Sequence, residues 1–178
     1  MKKTLTIAVL LFLGKLTVAQ FYVDAEATTV IPVGNFNSQV NYGIGPKFNL
    51  GYSLNRNMDV SVGYEFLFFE TMQFNFKIMS ETAAFKHKFG AGNFNPYLGV
   101  KAGIYHSKTE IPSFFKEQYT GTTSKKENAF GFAPIAGILY NPKWSENLKF
   151  DISGSYSIVD FKNKSEFLSL NIGVLYRL

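Results

Sequence analysis

Along most of this chain, apolar and polar residues alternate one for one. Met58, Val60, Val62, Tyr64, Phe66 and Phe68 fall on one parity, and Asp59, Ser61, Gly63 and Glu65 on the other. Leu148, Phe150, Ile152, Tyr156 and Ile158 are set against Lys149, Asp151, Ser153, Ser155 and Ser157. Leu98, Val100, Ala102 and Ile104 oppose Tyr97, Gly99, Lys101, Gly103 and Tyr105. A period of two is the mark of a strand with two unlike faces. The pattern predicts eight strands, at 20–31, 42–54, 58–69, 74–89, 95–107, 127–141, 147–161 and 166–178. Runs of about 11 to 15 residues exceed the 5–6 usual in soluble sheets and suit tilted strands crossing hydrocarbon.

Two places break the pattern. In the fourth segment Phe74, Phe76 and Ile78 keep one parity, whereas Ala83, Phe85 and Phe89 keep the other. A β-bulge between Met79 and Ala83 is expected to reconcile them. Pro134 in the sixth segment has no N–H to give a neighbour, which predicts a bulge or a missing ladder bond. The connections alternate in length. "NRN" at 55–57, "GAGNFNP" at 90–96 and "NPKWSEN" at 141–147 are short and rich in turn residues. The links "PVGNFNSQVNY" at 32–42 and "KTEIPSFFKEQYTGTTSKKEN" at 108–128 are longer. With eight strands, both termini and the tight turns gather at one end and the longer loops at the other. Outer-membrane barrels have that asymmetry.

Alternation alone does not say which face is inside, because a soluble barrel around an apolar ligand shows the same period reversed. Four features turn the oily face outward. The polar face is rich in Gly45, Gly51, Gly63, Gly99, Gly103, Gly131, Gly137, Gly173 and serine, as the narrow interior of an eight-stranded barrel requires. Its charges have both signs: Asp24, Glu26, Asp59, Glu65 and Asp151 against Lys47, Lys101, Lys149 and Arg177, so pairing across a lumen is expected. Aromatic residues gather near both ends, with Tyr52, Trp144, Phe150 and Tyr176 by the tight turns and Phe66, Phe68, Phe74, Phe76, Phe130 and Phe132 by the other rim. Such girdles mark membrane interfaces. Finally, the last strand runs to Leu178 without a tail and is free to close on the first, and closure satisfies the backbone groups that lipid leaves unsolvated.

The N-terminal stretch has two lysines, an apolar run from Leu5 to Leu13, and then Thr17-Val18-Ala19. That is the layout of a secretory signal peptide spanning residues 1–19, cleaved after Ala19 to leave one domain at 20–178. The run is too short to span a bilayer as a helix, and with no cysteine at the junction a lipid-anchored N-terminus is excluded. Without Lys2, Lys3 and Lys15 the formal charge of +5 falls to about +2, too small and scattered to point to nucleic acid. The absence of cysteine rules out disulfides and thiolate metal sites.

The closing "IGVLYRL" resembles the last strand of Gram-negative outer-membrane proteins. In that family the strand is read by the barrel-assembly machinery. Tyr176 matches its penultimate aromatic position, and Leu178 stands where phenylalanine is usual. The mature chain is similar to the small OmpA/OmpX-like barrels, and the "VAQ" junction with the Asn, Phe and Lys bias looks like the Bacteroidetes outer-membrane β-barrel domain proteins. The resemblance implies an all-β, eight-stranded antiparallel up-and-down transmembrane barrel in the cell outer membrane. Its partners would be outer-membrane lipid, lipopolysaccharide and the assembly machinery.

Candidate chemistry is sparse. Lipid A deacylases, which such barrels also resemble, place a His and a Ser two residues apart on one strand. Here His106 and Ser107 are adjacent, so a strand holds them on opposite faces. His87 and Glu81 lack metal-ligand spacing. Asp24 and Glu26 share a face and read as lumenal charges. The loop residues Ile111, Phe114, Phe115 and Tyr119 expose apolar groups that suit a membrane rim or a surface partner. The expectation is a non-enzymatic barrel without catalytic, metal or cofactor sites, acting in envelope structure or surface contact. The alternatives are a narrow porin-like channel and a secreted soluble barrel binding a hydrophobic ligand.

Overall fold

The computed structural model describes residues 20–36, 40–69, 75–90, 92–110, 124–162 and 164–178. The expected signal segment, Phe74 and the loop residues Ile111, Phe114, Phe115 and Tyr119 lie outside these. Eight strands form the wall: β1 (Phe21–Val33), β2 (Gly43–Ser53), β3 (Met58–Phe69), β4 (Asn75–Lys88), β5 (Phe94–Glu110), β6 (Ser124–Tyr140), β7 (Leu148–Val159) and β8 (Ser165–Arg177). Each pairs antiparallel with its sequence neighbours, and β1 pairs with β8, from Tyr22 opposite Arg177 to Val33 opposite Glu166. The barrel is closed, so the paired strands leave no edge exposed to lipid. At the seam the Leu178 N–H donates to the Phe21 carbonyl at 2.9 Å.

Burial settles the direction of the two faces. Asp24, Glu65, Lys101 and Asp151 are each no more than 3% exposed, whereas Val62 is 60% and Ile172 58% exposed. Phe48, Leu98, Phe130, Phe132, Ile152 and Leu170 also stand outward. A surface apolar all round the wall exceeds the few hundred Å² that a soluble monomer leaves uncovered, and lipid is the solvent that fits it. Outside β8 and β1–β4 this wall has a groove of about 940 Å³, where Ala25 and Ala83 lie low between Phe48, Leu50, Val62 and Tyr176.

β4 differs from the expectation. Its register with β3 runs unbroken from Met58 opposite His87 to Phe69 opposite Phe76, and no bulge is present. The even positions Ile78, Ser80, Thr82, Lys86 and Lys88 are all buried inside the barrel. Phe76 and Ile78 are apolar yet face inward, where Phe76 packs against an internal apolar cluster and Ile78 is part of it. Phe76 therefore does not belong to the outer aromatic band. Pro134 does interrupt its ladder without a bulge. The β6–β7 register is the same on both sides of it, but the pairs at Ala133 and Pro134 are missing. Pro46 does likewise between β2 and β3, where the pairs at Gly45 and Pro46 are missing.

At the loop end the chain leaves β1 through a single 3-10 turn, Gly34–Phe36. Gly34 has φ of +59°, a conformation that glycine adopts without a steric cost. This turn folds the chain back so that Phe36, 2% exposed, enters the barrel mouth.

Candidate functional site: the closed lumen

The interior is filled in layers. At the loop end Phe36 packs with Val30, Val40, Leu67, Phe69, Ile78, Tyr105, Val159, Phe161 and Phe167. Its ring lies 5.6 Å from Phe69, 5.8 Å from Phe76 and 6.3 Å from Phe167, centroid to centroid. With Ala129 of β6, this is an apolar plug contributed by seven strands and by the loops after β1 and β7. Toward the turn end Tyr22, Tyr97, Ile135, Leu139 and Leu175 form a second apolar cluster.

Charged and hydroxyl-bearing side chains occupy the remaining interior, and burial obliges them to pair. Lys47 on β2 donates to both carboxylate oxygens of Glu26 on β1 at 2.9 Å. Asn49 donates to Glu26 at 2.7 Å and to Asp24 at 2.9 Å. Lys101 lies 3.6 Å from Glu65, which also accepts from Ser80 at 3.3 Å. Lys88 meets Asp59 at 2.8 Å. Lys86 reaches Asp151 at 3.0 Å, and the Tyr97 hydroxyl lies 2.8 and 3.0 Å from the two Asp151 oxygens. Thr28, Asn171 and Ser153 continue the network as a hydrogen-bonded chain.

The nine charged residues singled out in the sequence all lie on inward positions. Glu26 and Lys47 come together, as do Glu65 and Lys101. Asp59 and Asp151 take their cations from Lys86 and Lys88, which the sequence reading did not include. Asp24 has Asn49 as its partner in place of a lysine. Lys149 and Arg177, partly exposed near the turn end, have no carboxylate within 4.0 Å among the described residues. Lys86 and Lys88 were legible by parity, since they alternate with Phe85 and Phe89. Phe36 had no such signal, because it lies outside any alternating run.

Asp24, Glu26 and Asp151 each place one oxygen within 4.8 Å of the others. The charges of two of the three are met by Lys47 and Lys86, so the cluster is an ion-pair network supplied from within the chain. Outside the wall, His106 Nδ1 lies 2.9 Å from Asn128 Oδ1 on the next strand. Ser107 lines a small cavity of about 100 Å³ at the barrel mouth with Phe36 and Phe161. His106 and Ser107 are therefore on opposite faces of β5. His87 packs edge-on against Phe89 at 4.8 Å. Tyr176 and Leu178, the closing-strand residues, are 47% and 55% exposed.

The architecture is that of the small outer-membrane β-barrels. Neisserial surface protein A superposes with a TM-score of 0.73 at 19% identity, over 89% of this chain and 97% of that one. Ail, the attachment invasion locus protein of Yersinia pestis, gives 0.56 at 19% identity over 89% and 97%. The N-terminal barrel domain of Pseudomonas aeruginosa OprF gives 0.55 at 16% identity over 87% and 97%. No family model matches the sequence, and no curated protein matches it. The likeness is one of fold: a closed, eight-stranded, antiparallel transmembrane barrel.

Proposed function

We propose that this chain is a non-enzymatic integral protein of the cell outer membrane, exported by a signal peptide at residues 1–19 that is cleaved after Ala19. In this reading it contributes to envelope structure and makes surface contacts through the loops between β1 and β2 and between β5 and β6. The observation that carries the reading is the closed lumen: an apolar plug around Phe36, buried ion pairs, and a second apolar cluster around Tyr97. Such an interior holds the wall rigid and offers ions no continuous wet path.

The surface-contact reading is supported by the company the fold keeps. One protein with this architecture is named an attachment invasion locus protein, and another structure of it is a complex with the heparin analogue sucrose octasulfate. In this chain the contact residues would be Ile111, Phe114, Phe115 and Tyr119. Tyr176 and Leu178 would be read by the barrel-assembly machinery during insertion, and the chain would belong with the Bacteroidetes outer-membrane barrels.

Planar-bilayer recording tests the closed-lumen reading. The refolded barrel is expected to give no stepwise conductance above the lipid baseline. Regular steps, scaling with salt, would favour the narrow channel instead.

A further inference from the structure

One carboxylate stands on the lipid-facing wall away from both rims. Glu81 holds an exposed, outward position of β4, four residues from Lys77 toward the tight turns. Transmembrane strands rise about 3.3 Å per residue and tilt by about 45°, so Glu81 sits roughly 10 Å deeper in the membrane than Lys77. The Lys77 ammonium itself lies 5.6 Å from the centre of the Phe68 ring, at the level of the outer aromatic band. Charged side chains are costly in hydrocarbon, and one that stands there points to a partner. Among the described residues Glu81 has no hydrogen bond and no cation within 4.0 Å. His106, diagonal to it on β5, has its Nδ1 2.9 Å from Asn128 Oδ1.

Glu81 stands at one end of the groove outside β8 and β1–β4. The register lays Val174, Ala25, Phe48, Tyr64 and Glu81 side by side across those five strands, a row of roughly 19 Å. The groove's volume of about 940 Å³ falls within the span of about 300–1,000 Å³ usual for ligand clefts, which are mostly apolar with a few polar groups that fix orientation. Here those groups are the Glu81 carboxylate and Tyr64, directly opposite it on β3. A carboxylate beside an aromatic ring attracts an ammonium, and more strongly where water is excluded. A second copy of the chain does not supply one. A two-fold axis along the membrane normal matches like depths, so the Glu81 level of one copy would meet the Glu81 level of the other. Phosphatidylethanolamine carries its ammonium in the headgroup, at the level of Lys77 rather than of Glu81.

We propose that this groove binds a long-chain lipophilic amine from within the bilayer, its ammonium on Glu81 and Tyr64 and its apolar body along Phe48 and over Ala25. The proposal rests on the membrane-embedded reading above. The mature barrel in phosphatidylcholine nanodiscs is incubated with octadecylamine, octadecanol or phosphatidylethanolamine, and bound molecules are counted by native mass spectrometry. Glu81→Gln removes the charge and keeps the size, and Ala25→Phe fills the groove from its floor. Glu166→Gln is the control, since it removes an outward carboxylate that Lys164 and Tyr156 already engage. The heat-dependent gel shift of each protein reports separately on whether it forms the membrane barrel. With the shift intact, the wild type is expected to retain octadecylamine about tenfold more than octadecanol. Glu81→Gln is expected to lose about that factor, Ala25→Phe to lose retention of both, and Glu166→Gln to match the wild type. Undiminished amine retention by Glu81→Gln or by Ala25→Phe overturns the site. Equal retention of phosphatidylethanolamine, or a dimer as the main species, overturns the amine as its occupant.

Discussion

Lys86 on β4 and Asp151 on β7 meet inside the barrel, Nζ to Oδ2, at 3.0 Å, although their strands are not paired. The lysine ammonium also lies 4.8 Å from the centre of the Tyr97 ring on β5. One salt bridge thus ties opposite sides of the wall together, and Tyr97 braces it through its hydroxyl and its ring. The pair exists because β4 runs without a bulge, which places its even residues inside along its whole length.

Removing one partner leaves a buried charge without compensation. Lys86→Met is expected to destabilise the barrel by about 3 kcal/mol or more, read as a lower urea midpoint for refolding into lipid vesicles. Adding Asp151→Leu to the same protein should recover most of the loss. If the double variant is no better than the single one, the pair is not what the lysine stabilises.

Phe36 fills the mouth from the first loop, and Phe36→Ala opens a cavity there. Loss of a buried phenylalanine costs about 3 kcal/mol, so the unfolding midpoint should fall. The ion pairs beneath remain, and bilayer recordings should stay silent. Conductance steps in this variant alone would mean that the plug is the sole seal.

The face assignment of β4 is open to a direct check, because the chain has no native cysteine. Single cysteines at Lys77 and Ile78 carry a fluorophore in turn. The Lys77 label should be quenched by brominated lipid and the Ile78 label should not. The reverse order would restore the bulge.

Gly45 sits beside Pro46, where the β2–β3 ladder is interrupted and the backbones crowd. A Cβ added at Gly45 would fall 1.6 Å from the Phe66 carbonyl oxygen, so the wall must shift to accept it. At Gly154 the nearest atom is 3.7 Å away, an ordinary contact. Gly45→Ala is expected to cost about 1–3 kcal/mol, and Gly154→Ala to be neutral or slightly stabilising. Equal midpoints for the two variants would show that the crowding at Gly45 relaxes freely.

Much of this fold was legible in the sequence, since lipid outside and small or charged groups inside impose a strict period of two. β3 follows it from Met58 to Phe66, β5 from Leu98 to Ile104 and β7 from Leu148 to Ile158. The rule failed where the lumen itself turns apolar. Phe76 and Ile78 carry the chemistry of the outer face but the position of the inner one, because they belong to the plug. Reading them as outward created the need for a slip that β4 does not contain. Phe36 was hidden for a related reason: its burial depends on a turn at Gly34 and on six strands distant in sequence.

The central claim is a closed barrel with its apolar face in the outer membrane. The most direct test is electrophoresis of the mature protein from fractionated cell envelopes, with and without boiling. The account predicts a band in the outer-membrane fraction that changes mobility on boiling, as a folded barrel resists detergent until heated. A freely soluble protein with one mobility would contradict it.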